Sequence, residues 1–373
     1  MKLSGLRVLD LTLFLPGPYL TLALADHGAE VIKIEPPGEG DPTRGLGLAD
    51  GASTVYFRNL NRGKKSVVLD LKSATGRAAL LGLAARADVF VESFRPGVVE
   101  RLGIGYEALR ARNPRIVYCS ISAFGQSGPY RDRPAHDLAV EALSGVLSMN
   151  VGGDGKPAIP GVPVADLLCA LQGLAGILMA LLRREQTGRG DYVEIAMHDA
   201  MVAGSANILG PVFAQNRQPI PSHERTTGGS AFYRIYETAD ERHLALGGQE
   251  MKFVHNLLRA LGRPELAALC ERGPGPHQEP VADFLREVFR GKTRDEWVAW
   301  LSGLDVCFGP VNTLPEALED PNVLARGMVL KDAAARRHLG PPIRFREEPA
   351  RPSLREPLIG EHTEEVLQTV RAK

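Results

Sequence analysis

Four cysteines in 373 residues, at positions 119, 169, 270 and 307, form no CxxC pair and no cysteine–histidine spacing suited to zinc. Neither a disulfide framework nor a metal site is expected. Net charge is missing as well, since 44 basic and 44 acidic residues are spread along the chain rather than in blocks. That excludes the basic footprint of a nucleic-acid binder and a polybasic membrane anchor. The opening MKLSGLRVLDL lacks the charged start, long apolar centre and small-residue cleavage site of a secretion signal, and the closing VRAK is no receptor-read address. A cytoplasmic location follows as the expectation. No GxGxxG follows the first apolar run, where the turn reads TLFLPGPYL, so a nicotinamide or flavin dinucleotide reading is weak. The expectation left is a small-molecule ligand on a chain long enough to bury a substantial core.

Long apolar runs are scarce too, with one exception. The stretch from Val164 to Arg184, VADLLCALQGLAGILMALLRR, has membrane-like composition, yet Asp166 and Gln172 lie inside it and Gly173 and Gly176 lower its apolar content. A helix buried in a soluble core fits it better than a membrane span.

What is present is a rhythm. GLRVLDLT and AEVIKIE are short Val/Ile/Leu-rich runs separated by LPGPYLTLALADHG, which has helical spacing and a glycine stop at Gly28. This is a βαβ unit. After a polar loop come KSVVLDL, the helical KSATGRAALLGLAARA, the strand DVFVESF, another helix and the strand RIVYCSIS. Such alternation predicts an α/β fold, a Rossmann-like parallel sheet covered on both faces, with ligands beyond the carboxyl ends of its strands. From about residue 201 the periodicity lapses through a Pro-, Asn- and Gly-containing stretch. Beyond it AFYRIYETADERHLALGG reads as a hairpin turning near Asp240 and Glu241, followed by short amphipathic helices such as DEWVAWLSGL. The Pro- and Arg-rich C-terminal stretch has little core-forming pattern and is expected to wrap over other parts of the fold. The expected division is a discontinuous large domain of residues 1–200 completed by 335–373, a small α+β domain of 226–325, and linkers at 201–225 and 326–334.

Three polar positions sit at element edges in apolar surroundings: His136 in RPAHDLAVEALSG, Asp166 at the start of the long helix, and Glu250 at the end of HLALGGQE. Each has a plain structural reading beside a catalytic one. Asp166 fits a helix N-terminal charge favoured by the macrodipole, and His136 and Glu250 fit satisfied polar groups at element ends. Spacing alone leaves these alternatives open.

Across nearly its whole length the chain resembles the family III CoA-transferases, a family that includes both CoA-transferases and α-methylacyl-CoA racemases. The resemblance is carried in order by GAEVIKIEPPG, NRGKKSVVLDLK, ADVFVESFRPGV, NPRIVYCSISAFGQSGPY, HDLAVEALSGVLS, the Asp166 helix with TGRG after it, and DVCFGPV. It implies a CoA thioester as substrate, no tightly bound cofactor, and an interlocked homodimer. It also assigns roles. In transferase members the aspartate matching Asp166 attacks the donor thioester. In racemase members it is one of two bases, the other matching His136, paired with a glutamate matching Glu250. Transferases usually carry a tyrosine or another residue in place of this histidine, so the site pattern is closer to the racemases. CoA contacts are expected at Phe94, Arg95 and Arg101, with Arg44 or Lys64 meeting phosphates. Backbone donors at the N-terminus of the Asp166 helix are the candidates for holding an enolate oxygen. Arg183, Arg184, Arg336 and Arg337 are read as surface charge. Gly228 and Gly229 either cover the site or merely form a turn. Pro36 stands where family members commonly have an arginine against adenine, so that contact must be lost or supplied elsewhere.

Overall fold

A computed structural model describes residues 1–371, which divide into two compact units. The first comprises residues 1–144, 161–204 and the C-terminal segment from Pro321; the second comprises 145–160 and 205–320.

In the first unit, β1 (Arg7–Leu11), β2 (Glu30–Glu35), β3 (Lys65–Val68), β4 (Val89–Glu92), β5 (Val117–Ser122) and β6 (Tyr192–Ala196) form one sheet. Every pairing in it is parallel, in the order β3-β2-β1-β4-β5-β6. That is the doubly wound order, whose ligand crevice opens where the winding reverses, between β1 and β4. Parallel strands are covered on both faces, which is why β1 and β4 are apolar and buried almost without alternation. The helices are α1 (Pro16–Asp26), α2 (Val55–Asn61), α3 (Ala74–Ala84), α4 (Val98–Leu102), α5 (Tyr106–Arg112), α6 (Asp137–Leu143), α7 (Val164–Thr187) and α8 (Met197–Gly204). Leu9, Ile32, Val67, Leu80, Phe90, Leu109 and Tyr118 make one core with Val366 of the C-terminal helix Thr363–Arg371. The tail thus wraps as expected but also supplies core. Thr363 and Gly360 hydrogen-bond to the edge strand β3 at Val68 and Ser66.

Charge is buried beneath the β1–α1 turn. Asp10 accepts from the Thr12 amide (2.9 Å), from the Thr21 hydroxyl (2.6 Å) and from Lys64 Nζ (2.9 Å). Lys33 donates to the Thr12 carbonyl (2.8 Å) and pairs with Asp41 (2.7 Å). Burial opposes ionisation of Asp10, yet Lys64 and Lys33 beside it hold its carboxyl well below the usual carboxylate range. Gly17 completes the turn by close approach, because a Cβ there would lie 2.2 Å from Thr12. So fixed, the turn carries Phe14 at φ 61°, a left-handed conformation costly for an aromatic residue.

Two expectations about α7 and its end change. The helix is long and apolar enough to cross a membrane by length and composition, but only 39% of its most apolar window is buried. Ala165, Cys169, Ala170, Gly173, Leu174 and Ile177 face the core, while Leu171, Ala175, Leu178 and Leu182 form an exposed stripe at helical spacing. The helix expected to be buried in a core is buried along one face only. Arg184 is not surface charge: it is 4% exposed, pairs with Asp88 at 3.0 Å and reaches the Arg115 carbonyl. Arg336 is likewise engaged, with Asp332 and Glu356.

The second unit is α+β. Strands β7 (Tyr233–Glu237), β8 (His243–Gly247) and β9 (Phe308–Pro310) form an antiparallel sheet, the β7–β8 hairpin turning at Glu241 with φ 56°. Helices Met251–Ala260, Glu279–Phe289 and Arg294–Leu301 bury Leu257, Leu285 and Trp297 against Phe232, Tyr236 and Leu244. The division differs from the expected boundaries. It falls at 204/205 and 320/321, and residues 145–160 join the second unit, where Ser148 receives a hydrogen bond from Gln218. Residues 326–334 are no free linker, since Val329–Lys331 pairs with Arg337–Leu339.

Candidate active site

His136 precedes the first turn of α6 in extended conformation, and Asp166 sits in the first turn of α7. The two line one cavity of about 350 Å³, together with Leu13, Phe14, Ser93, Phe94, Arg95, Arg131 and Arg133. The cavity opens at the carboxyl ends of β1, β4 and β5, where a doubly wound sheet binds ligands. His136 is exposed, and the Phe14 ring meets its imidazole edge-on with centroids 6.0 Å apart.

The amino end of α7 is closed by α6. The Asp166 amide donates to Asp137 Oδ1 at 3.1 Å, and the Val164 amide donates to Glu141 Oε1 at 3.1 Å. Burial first, then the neighbouring Asp137 carboxyl, raise Glu141 above the usual carboxylate range. The Leu167 amide is already intrahelical, bonded to the Pro163 carbonyl. Three of the donors expected at this helix end to hold an enolate oxygen, the amides of Val164, Asp166 and Leu167, are therefore occupied. Burial first, then the carboxyls of Asp137 and Glu141, push Asp166 up to about 7. A carboxyl so placed exchanges its proton near neutrality and is more basic than a solvated aspartate.

Glu250 lies in the second unit. The hairpin strand stops at Gly247, and Glu250 is instead the residue preceding the helix Met251–Ala260.

Of the expected CoA contacts, Phe94 and Arg95 line the cavity. Phe94 also lines a second, apolar cavity of about 310 Å³ walled by Leu11, Ile34, Pro36, Pro37, Leu71 and Val98. Pro36 thus contributes apolar wall where an arginine was expected. The Phe94 amide donates to Glu92 at 2.8 Å, and burial pushes that carboxyl up to about 7. Arg101 reaches back over Gly97, whose φ of 81° and lack of a side chain leave room: a Cβ there would meet Arg101 Nη1 at 3.2 Å and Arg131 Nη2 at 3.3 Å. Arg131 is also paired with Asp132 at 2.8 Å and donates to the Gln126 carbonyl.

Lys64 and Arg44 are different. Lys64 is 3% exposed and its ammonium donates to Asp10, Pro18, Thr21 and Asn61, so it holds the core and has no proton left for a phosphate. Arg44 forks onto Glu35 (2.7 and 2.8 Å) and stacks on Phe57, its third contact being the Pro357 carbonyl. Both cations expected to meet phosphates are thus held by carboxylates of the fold, Asp10 lying 54 residues from Lys64 and Glu35 nine from Arg44.

Sequence reasoning missed Phe14, Arg131, Asp137 and Glu141. A signal existed for the last three, in RDRPAHDLAVEAL, where Asp137 and Glu141 fall four apart on one helix face beside His136. None existed for Phe14, whose strained conformation depends on the buried charges beneath it.

Residues 3–363 match the family model for CoA-transferase family III. The chain is 35% identical to human alpha-methylacyl-CoA racemase over 99% of its own length and 93% of that protein. It is 32% identical to mouse succinyl-CoA:glutarate CoA-transferase, over 99% of this chain and 86% of that one. Among solved structures, a CaiB/BaiF family protein from Brucella suis superposes with a TM-score of 0.84 at 32% identity, covering 99% of each chain. These relatives include a racemase and a CoA-transferase, both of them enzymes, and by its sequence and fold this chain belongs to CoA-transferase family III.

Proposed function

We propose that the chain racemises or epimerises the α-carbon of a 2-methylacyl-CoA by a two-base mechanism. The observation that carries this reading is His136 beside Asp166 in one cavity, an imidazole and a carboxyl shifted to about 7. A proton α to a thioester is weakly acidic, and inverting the carbon needs removal on one face and delivery on the other. Neutral His136 breaks the C–H bond and takes the proton. The electron pair moves into the thioester as an enolate, and protonated Asp166 delivers its proton to the opposite face. The reverse direction exchanges the roles, and solvent resets the protons. A carboxyl that exchanges its proton near neutrality suits such a reversible role.

CoA thioester is the substrate in this reading, and no tightly bound cofactor is required. Its diphosphate fits Arg101 and Arg131 at Gly97, with Arg95 beside them. Its adenine fits the apolar slot beyond Phe94, where Pro36 and Pro37 replace an arginine contact with surface contact. Glu250 keeps the orienting role that the resemblance gives it. The exposed stripe of α7 supports an interlocked homodimer, because Leu171, Leu178 and Leu182 are otherwise left in water. The reading includes a cytoplasmic location, with neither membrane nor nucleic acid as partner.

A CoA-transferase is the second reading, favoured by the same desolvated Asp166 carboxyl, a stronger nucleophile than a solvated one. Incubation with a branched 2-methylacyl-CoA in deuterated water, read by mass spectrometry, separates the two. Racemisation gives one deuterium per turnover, lost in His136→Ala. Absence of exchange, with hydroxylamine trapping of an activated Asp166 in the presence of an acyl-CoA and a free acid, replaces racemase by transferase.

A further inference from the structure

The first-turn amides of a long helix ordinarily make a positive end that stabilises a nearby anion. Asp166 stands in the first turn of a 24-residue helix and should be an easily ionised carboxylate on that ground alone. The opposite arrangement is built. Glu141, 1% exposed, takes the amide of Val164, and Asp137 takes the amide of Asp166 itself. The two acceptors come from one helix, four residues apart, so two carboxyls face the same helix end.

We propose that Asp137 and Glu141 are positioning residues for Asp166: they fix the amino end of α7 at the cavity and set carboxyls where the helix would otherwise present its positive pole to Asp166. This rests on the proposed chemistry at Asp166 and adds to it the groups that set its readiness. The raised proton affinity of Asp166 has burial as its first cause and these two carboxyls as the next. Other groups face it: Tyr56 of α2 feels its charge, Cys169 lies one turn along α7, α8 brings Met197, and His136, Arg95, Arg131 and Arg133 share the cavity. Deleting either carboxyl's charge therefore shifts Asp166 toward its ionised form.

The test is a titration of full-length protein carrying ¹³Cγ-aspartate, without substrate, with the Asp166 signal assigned by its loss in Asp166→Asn. Asp166 of the unaltered protein titrates near neutrality. Glu141→Gln and Asp137→Asn keep an oxygen for the α7 amides while removing a charge, and each lowers the proton affinity of Asp166 about tenfold. The acidic limb of the pH–rate profile moves down with it. Should Glu141→Gln fail to fold, Asp137→Asn, on the partly exposed side, carries the test. An Asp166 midpoint unchanged in the folded variants, or one already at an ordinary carboxylate value in the unaltered protein, overturns the proposal. Because the signal is read without turnover, it stands or falls apart from the racemase reading, which the deuterium experiment decides.

Discussion

The Phe14 ring lies edge-on to the His136 imidazole, centroids 6.0 Å apart and planes 88° apart, and Phe14 reaches it only by adopting φ 61°. The strain is held by the Asp10, Lys33 and Lys64 network under Thr12. Glycine at position 14 would relieve it, because glycine takes positive φ without a Cβ clash. Phe14→Gly is expected to leave stability equal or raise it by up to about 1 kcal/mol, while α-proton exchange falls about tenfold as the imidazole loses its wall. Urea unfolding and deuterium incorporation measure the two halves. Unchanged exchange would remove Phe14 from the site.

Asp166 also makes stability depend on pH. Its folded value, about 7, lies above its unfolded one, so the folded state binds the proton more tightly. That contribution is complete below the unfolded value and is lost as pH rises through 7. Glu92 has the same sign and the same window. Asp166→Asn should therefore gain stability over the unaltered protein at pH 8 but not at pH 4, by on the order of 2 kcal/mol after solvent screening. Thermal melts at the two pH values give the difference directly, and a gain that is equal at both would refute the assignment.

Lys64 is expected to matter for folding rather than for CoA. Lys64→Met leaves Asp10 buried with one cation fewer, a loss of about 3–5 kcal/mol, whereas Arg101→Ala should weaken CoA binding and reduce its salt dependence with little effect on stability. Denaturation curves and CoA titrations at two salt concentrations read both. The expectation fails if the folded Lys64 variant loses CoA affinity as much as the Arg101 variant does.

The apolar stripe on α7 gives a fourth test. Leu178→Glu places a charge in the row Leu171, Ala175, Leu178, Leu182 without touching the core face. If the stripe is a subunit contact, sedimentation of the variant will show a smaller species than the unaltered protein. A monomeric unaltered protein that is fully active would contradict the dimer.

Much of the fold was legible from local pattern. Apolar runs such as VLDL and VIKI are buried on both faces, and only a parallel sheet between helix layers does that, so β1 to β5 and the helices between them follow from composition and period. The hairpin at Glu241 and the helix in DEWVAWLSGL were legible for the same reason, since turns and short amphipathic periods are decided within a few residues. His136 and Asp166 could be named because RPAHD and the start of the long helix are short, dense motifs, and the family resemblance gave them roles. The fate of a buried charge was not legible. Whether Lys64 meets a phosphate or Asp10, whether Arg184 is solvated or bound to Asp88, and whether Asp166 ionises on a helix dipole or is raised by Asp137 and Glu141 all depend on partners brought close by folding. Electrostatic energy falls with distance in space and takes no account of distance along the chain. Sequence alone fixed which residues were able to do chemistry, and the tertiary structure decided which of them face the cavity and in what state of charge.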